Sequence, residues 1–144
     1  MILVDSSVWN GYFNGSKTPQ TDWLDSALGN TPLIIGDLIL TEVLQGFHSD
    51  NDCQTARKLL LNIPFLPMGG RDIALESAIN YRLLRGKGVT VRKTINIMIG
   101  TFCIHYQLSL LHTDRDFDPM VRFLGLEIIR ACSGLFPRSG LAIT

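Results

Sequence analysis

The chain has 144 residues, of which 46% are hydrophobic and 18% charged, and its formal net charge is zero. That length suits one domain with its own core, and the neutral balance excludes a global field for nucleic acid, so any basic footprint must be local. The opening Met-Ile-Leu-Val-Asp run is too short for a secretory leader, no segment is apolar enough to span a membrane, and Cys53, Cys103 and Cys132 are odd in number and form no C-x-x-C or other zinc spacing, which fits a reducing cytosol.

Residues 2–4 are a short apolar run ending at Asp5, then Ser6-Ser7, which reads as a buried strand feeding a helix through a polar cap. Residues 19–28 read as a helix closed by Gly29-Asn30, and residues 33–35 as a second strand. From Asp37 a helix carries an apolar stripe at Ile39, Leu40, Val43, Leu44 and Phe47. Residues 52–62 are predicted helical, 64–68 extended, and 72–85 helical up to the Gly86-Lys87-Gly88 stop. The clearest helix covers 94–107, with Ile95, Met98, Ile99, Phe102 and Tyr106 at helical spacing. Residues 108–112 form a strand that enters Thr113-Asp114-Arg115-Asp116. Asp118 as cap and Pro119 as first helical residue open a last short helix, and residues 126–129 make a final strand. Short apolar strands alternating with helices predict a three-layer α/β/α domain over residues 1–130, with a central parallel sheet of about five strands. Residues 131–144 are rich in Gly, Ser and Pro and read as a flexible C-terminal tail.

In such sheets ligands bind at the carboxyl ends of the strands, and Asp5 and Asp114 follow two of the strand runs. Glu42, Asp116 and Asn96 complete a set of five polar positions, four of them acids. Carboxylates that converge repel one another unless a cation holds them, and hard oxygen donors favour Mg²⁺ or Mn²⁺. Each position also has a plainer reading. Asp5 suits a helix cap, Glu42 a solvated face, Asp114 and Asp116 a loop, and Asn96 a helix start. His48, His105 and His112 lack metal spacing or a nucleophile partner and read as incidental. Arg82, Arg85, Lys87, Arg92 and Lys93 cluster around the 86–88 turn, where they either complement a helix dipole or grip phosphates beside Asn96.

Four motifs carry a resemblance. Met-Ile-Leu-Val-Asp-Ser-Ser-Val-Trp, Gly-Asp-Leu-Ile-Leu-Thr-Glu-Val-Leu-Gln-Gly-Phe, Val-Arg-Lys-Thr-Ile-Asn and Leu-Leu-His-Thr-Asp-Arg-Asp-Phe-Asp-Pro-Met occur in this order between residue 1 and about residue 129. They resemble the PIN-domain ribonuclease toxins of VapBC toxin–antitoxin modules. The resemblance implies a metal-dependent endoribonuclease of the bacterial or archaeal cytoplasm that cuts tRNA or rRNA and so inhibits translation. In it Asp5, Glu42, Asp114 and Asp116 would hold Mg²⁺ or Mn²⁺, some through water. Ser6 and Thr113 would orient ligands or touch RNA, with Arg92 and Lys93 at the RNA rim. It also implies a VapB-type antitoxin as partner, and a homodimer or toxin–antitoxin hetero-oligomer.

The family has Asp where this chain has Asn96. An amide keeps the size of Asp but drops its charge, and its NH₂ donates where a dication needs an acceptor. The expectation is therefore an attenuated nuclease, and the alternative is a PIN-type module that binds RNA or antitoxin without cutting. A phosphoacceptor receiver would want paired acids at the first strand and a late lysine. An aspartyl-phosphate phosphatase would want Asp-x-Asp, where Ser6-Ser7 follows Asp5 here.

Overall fold

Ile2–Val4 (β1) is an inner strand, and the rest of the sheet is arranged around it. In the computed structural model, which describes residues 1–132, β1 pairs in parallel with Leu33–Gly36 (β2) and with Ser109–Leu111 (β4). Phe65–Leu66 (β3) adds outside β2, giving the order β3-β2-β1-β4. Leu3, Val4, Ile34, Ile35, Leu110 and Leu111 are all buried. Both faces of the sheet are therefore covered, which explains why the strands read as continuous apolar runs and not as alternating ones.

The helices form two packed groups that flank the sheet. Ser6–Phe13 (α1), Pro19–Ala27 (α2), Asp37–Gln45 (α3) and Asp50–Leu60 (α4) make one group. Arg71–Gly86 (α5), Thr94–His105 (α6) and Asp118–Leu124 (α7) make the other. The local reasons are ordinary capping chemistry. Thr18 and Thr21 close a capping box around Pro19 at the start of α2, and Ser49 accepts from the Asp52 N–H at the start of α4. Gly125, at φ 76°, ends α7 in the left-handed conformation that glycine adopts without strain. Among the described residues, no helix is long and apolar enough to cross a membrane.

Three sequence expectations change in detail. The strand expected at 126–129 is an isolated bridge between Leu110 and Ile128, held by Leu110 N to Glu127 O and Ile129 N to Leu110 O, both 2.9 Å. Exposed Glu127 and Arg130 flank that bridge, so the sheet has four strands among the described residues. Asp118 is the first residue of α7 and not its cap, because a 3-10 turn at Arg115–Phe117 hands the chain over already helical. Helix α6 has no single apolar stripe: Asn96, Ile97, Ile99, Gly100, Thr101, Phe102 and Cys103 are all buried, while Tyr106 is 53% exposed. A helix covered all round shows weak periodicity. Most of the predicted tail lies outside the described residues.

Gly36 joins β2 to α3, the helix that carries Glu42. A Cβ there would collide with the Met68 side chain and lie 2.8 Å from the Leu66 carbonyl oxygen. Gly36→Ala is expected to cost about 2 kcal/mol by overpacking, seen as a lower urea midpoint at unchanged slope. An unchanged midpoint would show that Met68 and the β3 backbone give way freely.

Candidate active site

The end of β1 delivers Asp5, whose N–H donates to Leu111 O at 2.9 Å across the sheet. Its carboxylate is 2% exposed and divides its labour. Oδ2 accepts from Ser7 Oγ at 2.6 Å and Ser7 N at 3.1 Å, capping α1. Oδ1 is buried with no hydrogen-bond partner among the described residues. The cap reading and the ligand reading thus fall on different oxygens of one group. Burial pushes the Asp5 pKa up, against the hydrogen bonds from Ser7. Ser7 Oγ also accepts from Thr113 N at 3.2 Å, so one hydroxyl links the ends of β1 and β4.

Glu42 lies off the buried side of α3, and Ser6 Oγ donates to its Oε1 at 3.1 Å. Its pKa is raised first by burial and further by the charges of Asp5 and Asp114, while Ser6 and Lys93 pull it back. Glu42 therefore feels the charges of Asp5, Asp114 and Lys93 together.

The remaining positions gather where the 3-10 turn meets α6. Asp114 Oδ1 accepts from Asp116 N at 2.9 Å, which caps the turn. Asn96 is 3% exposed and sits in the first turn of α6, and its Nδ2 donates to Asp114 Oδ2 at 3.2 Å and to Asp116 Oδ2 at 3.0 Å. The amide thus occupies a place between two acids. Asp116 also accepts from Arg92 N and Nε, each at 3.3 Å, and from Lys93 N at 3.2 Å. Burial pushes the Asp116 pKa up, but these bonds from Asn96, Arg92 and Lys93 outweigh it and leave it below the ordinary carboxylate value. The Arg92 side chain is 74% exposed, yet its Nη2 also lies 3.8 Å from Asp114 Oδ1.

All five sequence-predicted positions are thus linked by contacts or by charge. Two contributors were missed. Ser7, not Ser6, holds Asp5; its place two residues after a strand-end Asp is the signal for such a turn. His112 Nδ1 accepts from Asp114 N at 3.1 Å, with its pKa lowered chiefly by burial, so the ring serves as a neutral acceptor that shapes the loop. Nothing in the sequence marks that role. Of the predicted basic rim, Arg85 lies over Tyr81 and Lys87 over Phe123, while Arg92 turns toward the acids. Thr113 is exposed and contributes its backbone N–H.

Among the described residues, no three His, Cys, Asp or Glu side chains stand close enough together to hold a metal ion as they are placed here. The donor chemistry nevertheless suits a hard dication, because Asp5 Oδ1 is a buried acceptor with its lone pairs free, and the charges of Asp5 and Asp114 both reach Glu42.

Residues 2–122 match the PIN domain family. The chain is 29% identical over 129 residues to a VapC ribonuclease of Mycobacterium bovis and to ribonuclease VapC11 of Mycobacterium tuberculosis, covering 88% of this chain and 96% of each relative. Its fold is similar to VapBC2 from Rickettsia felis bound to a promoter DNA fragment, at TM-score 0.71 and 15% identity over 89% of this chain and 97% of that one. It is also similar to FitAcB from Neisseria gonorrhoeae, at TM-score 0.69 and 15% identity over 90% and 97% of the two chains. A third similar structure is VapC20 of M. tuberculosis, a sarcin-ricin loop cleaving toxin, at TM-score 0.63 and 13% identity over 82% and 93%. Parallel sheet, strand-end acids and sequence agree: the chain belongs to the PIN domain family, as a homologue of the VapC ribonucleases.

Proposed function

We propose that this chain is a Mg²⁺- or Mn²⁺-dependent endoribonuclease toxin whose cleavage is attenuated by Asn96. The observation that carries this reading is the buried, unpartnered Oδ1 of Asp5, on a carboxylate whose charge, with that of Asp114, acts on Glu42. A buried acceptor left unpaired costs free energy, and a dication is what such a donor set takes. Asp5, Glu42 and Asp114 would hold it, and when bound it supplies an acidified water and neutralises a phosphodiester. The chain's own polar residues do the positioning. Ser7 fixes Asp5, Ser6 fixes Glu42, and His112 with Ser7 shapes the 113–114 loop. Exposed Arg92, Lys93 and Thr113 stand beside the acids as the rim for RNA phosphates.

The substrate on this reading is a tRNA or a ribosomal RNA loop, met in the cytoplasm. The ribonuclease relatives and the sarcin-ricin loop cleaving toxin among the structural neighbours support it. A VapB-type antitoxin is the proposed partner, in a homodimer or a toxin–antitoxin hetero-oligomer, supported by the likeness to VapBC2 and FitAcB. The Asn96 amide between Asp114 and Asp116 favours a second reading, a PIN-type module that binds RNA or antitoxin without cutting.

Incubating the chain with an RNA pool tests the first reading. Slow cleavage leaving 5′-phosphate and 3′-hydroxyl ends is expected with Mg²⁺, and none with EDTA. RNA retained but intact at high protein concentration would select the second reading, and cleavage undiminished by EDTA would reject both.

A further inference from the structure

The carboxylates around this site differ in how many acceptor positions they have left. An ionised carboxylate offers about four lone-pair positions, two on each oxygen. Asp5 uses two, both on Oδ2. Asp114 uses one on each oxygen for hydrogen bonds, to Asp116 N and to Asn96 Nδ2. Glu42 accepts from Ser6 on Oε1. Asp116 is different: Oδ1 takes Arg92 N and Arg92 Nε, and Oδ2 takes Lys93 N and Asn96 Nδ2. Four donors fill four positions, in a side chain that is 7% exposed as a residue.

Those donors share a purpose. Helix α6 starts at Thr94 with Lys93 as its N-cap, has no side-chain cap of its own, and carries no acid in its first turn. The chain leaves α5 through exposed residues 85–88 and reaches α6 through residues 89–93, where Val91 is buried while residues 90, 92 and 93 are exposed. A buried helix entered from an exposed turn needs its first polar groups held and a negative charge near its start. Asp116 supplies both from the 3-10 turn that follows β4. It binds the two N–H groups that precede Thr94 and the Asn96 side chain within the first turn. The same Asn96 amide then ties Asp114 to α6.

We propose that Asp116 is a positioning residue and not a metal ligand: it is the clasp that fixes the entry of α6 to the 114–117 turn, leaving a cation site of Asp5, Glu42 and Asp114. The sequence motif placed Asp116 among the ligands, and its saturation by four donors moves it out of that set. The inference about the cation set rests on the proposed metal-dependent activity; the clasp itself does not.

Amide hydrogen exchange by NMR on the full-length chain tests it, first in EDTA and then with Mg²⁺ alone. The Arg92 and Lys93 amides are expected to exchange at least about a hundredfold slower than in the unfolded chain, with and without Mg²⁺. Mg²⁺ should move the resonances around Asp5 and Ser7 instead. Loss of protection at Arg92 and Lys93 on adding Mg²⁺, or none in EDTA, overturns the clasp. Protected amides with no Mg²⁺ response at Asp5 support the clasp and sink the metal reading, so the two fail separately. Asp116→Asn gives a second readout: a melting temperature lower by about 5 °C or more in EDTA, with the Mg²⁺-induced rise retained. An unchanged melting temperature in EDTA with the Mg²⁺ rise abolished would return Asp116 to the ligand set. If that variant does not fold, the exchange measurement on the unmodified chain decides.

Discussion

Asn96→Asp is expected to raise Mg²⁺-dependent RNA cleavage by at least about tenfold while making the metal-free protein less stable. Both effects come from one amide. In this chain Asn96 Nδ2 donates to Asp114 and to Asp116, so two like charges meet through a shared donor. An aspartate in its place offers acceptors only, and three buried or half-buried carboxylates then face one another. Without metal, the lost donor and the added repulsion are expected to cost about 3 kcal/mol, read as a lower melting temperature in EDTA. With Mg²⁺ the added charge becomes affinity, so the melting temperature gained on adding Mg²⁺ should be larger in the variant than in the parent. The signature is this crossover together with faster cleavage. Equal cleavage rates for the two chains would remove attenuation by Asn96 as an explanation.

The second large effect is expected at Asp5. Asp5→Asn should lower cleavage by about a hundredfold or more, the upper range for loss of even an outer partner of a metal. The same change should raise the melting temperature of the metal-free protein at neutral pH. Asp5 carries a buried oxygen with no partner, and its folded pKa is raised above the ordinary 3.8. A raised acid pKa contributes stability that is fully present below the ordinary value and is lost as pH rises through the folded value. Glu42, raised above its ordinary 4.5, acts in the same direction. Asp116, lowered, acts oppositely, losing its contribution as pH falls, but it is present in both proteins and cancels in the comparison. Asp114, His112 and Lys93 are likewise common to both. In EDTA the stability advantage of Asp5→Asn should therefore be largest at neutral pH and close as the pH falls below the ordinary carboxylate range. Melting curves across that range check the sign. A variant less stable than the parent at neutral pH would show that the Oδ1 burial is harmless.

The sequence made some of this site visible and hid the rest for identifiable reasons. Asp5 was visible because a strand buried on both faces reads as an unbroken apolar run, and its end is a defined place. Asp114 was visible for the same reason at the end of β4. Glu42 was not distinctive alone, since an acid off an apolar stripe is what any surface helix shows. The Arg92 pairing was hidden because its acid lies 24 residues away, across α6. Helix α6 is legible as a helix from its spacing, but the face it buries is not, because burial on all sides erases the periodicity that assigns a face. His112 bonds a backbone N–H only two residues on, a contact set by loop geometry that no spacing rule announces.

The pairing of β1 with β4 has a consequence for how this fold assembles. The two strands are neighbours in the sheet but distant in the chain, and the Ser7–Thr113 contact spans 106 positions. Pairings of that separation form late, after the cost of closing a long loop has been met. The ends of β1 and β4, which carry Asp5 and Asp114, are not joined until that pairing has formed. A chain that has formed its helices but not this pairing therefore holds the parts of the centre without the centre itself.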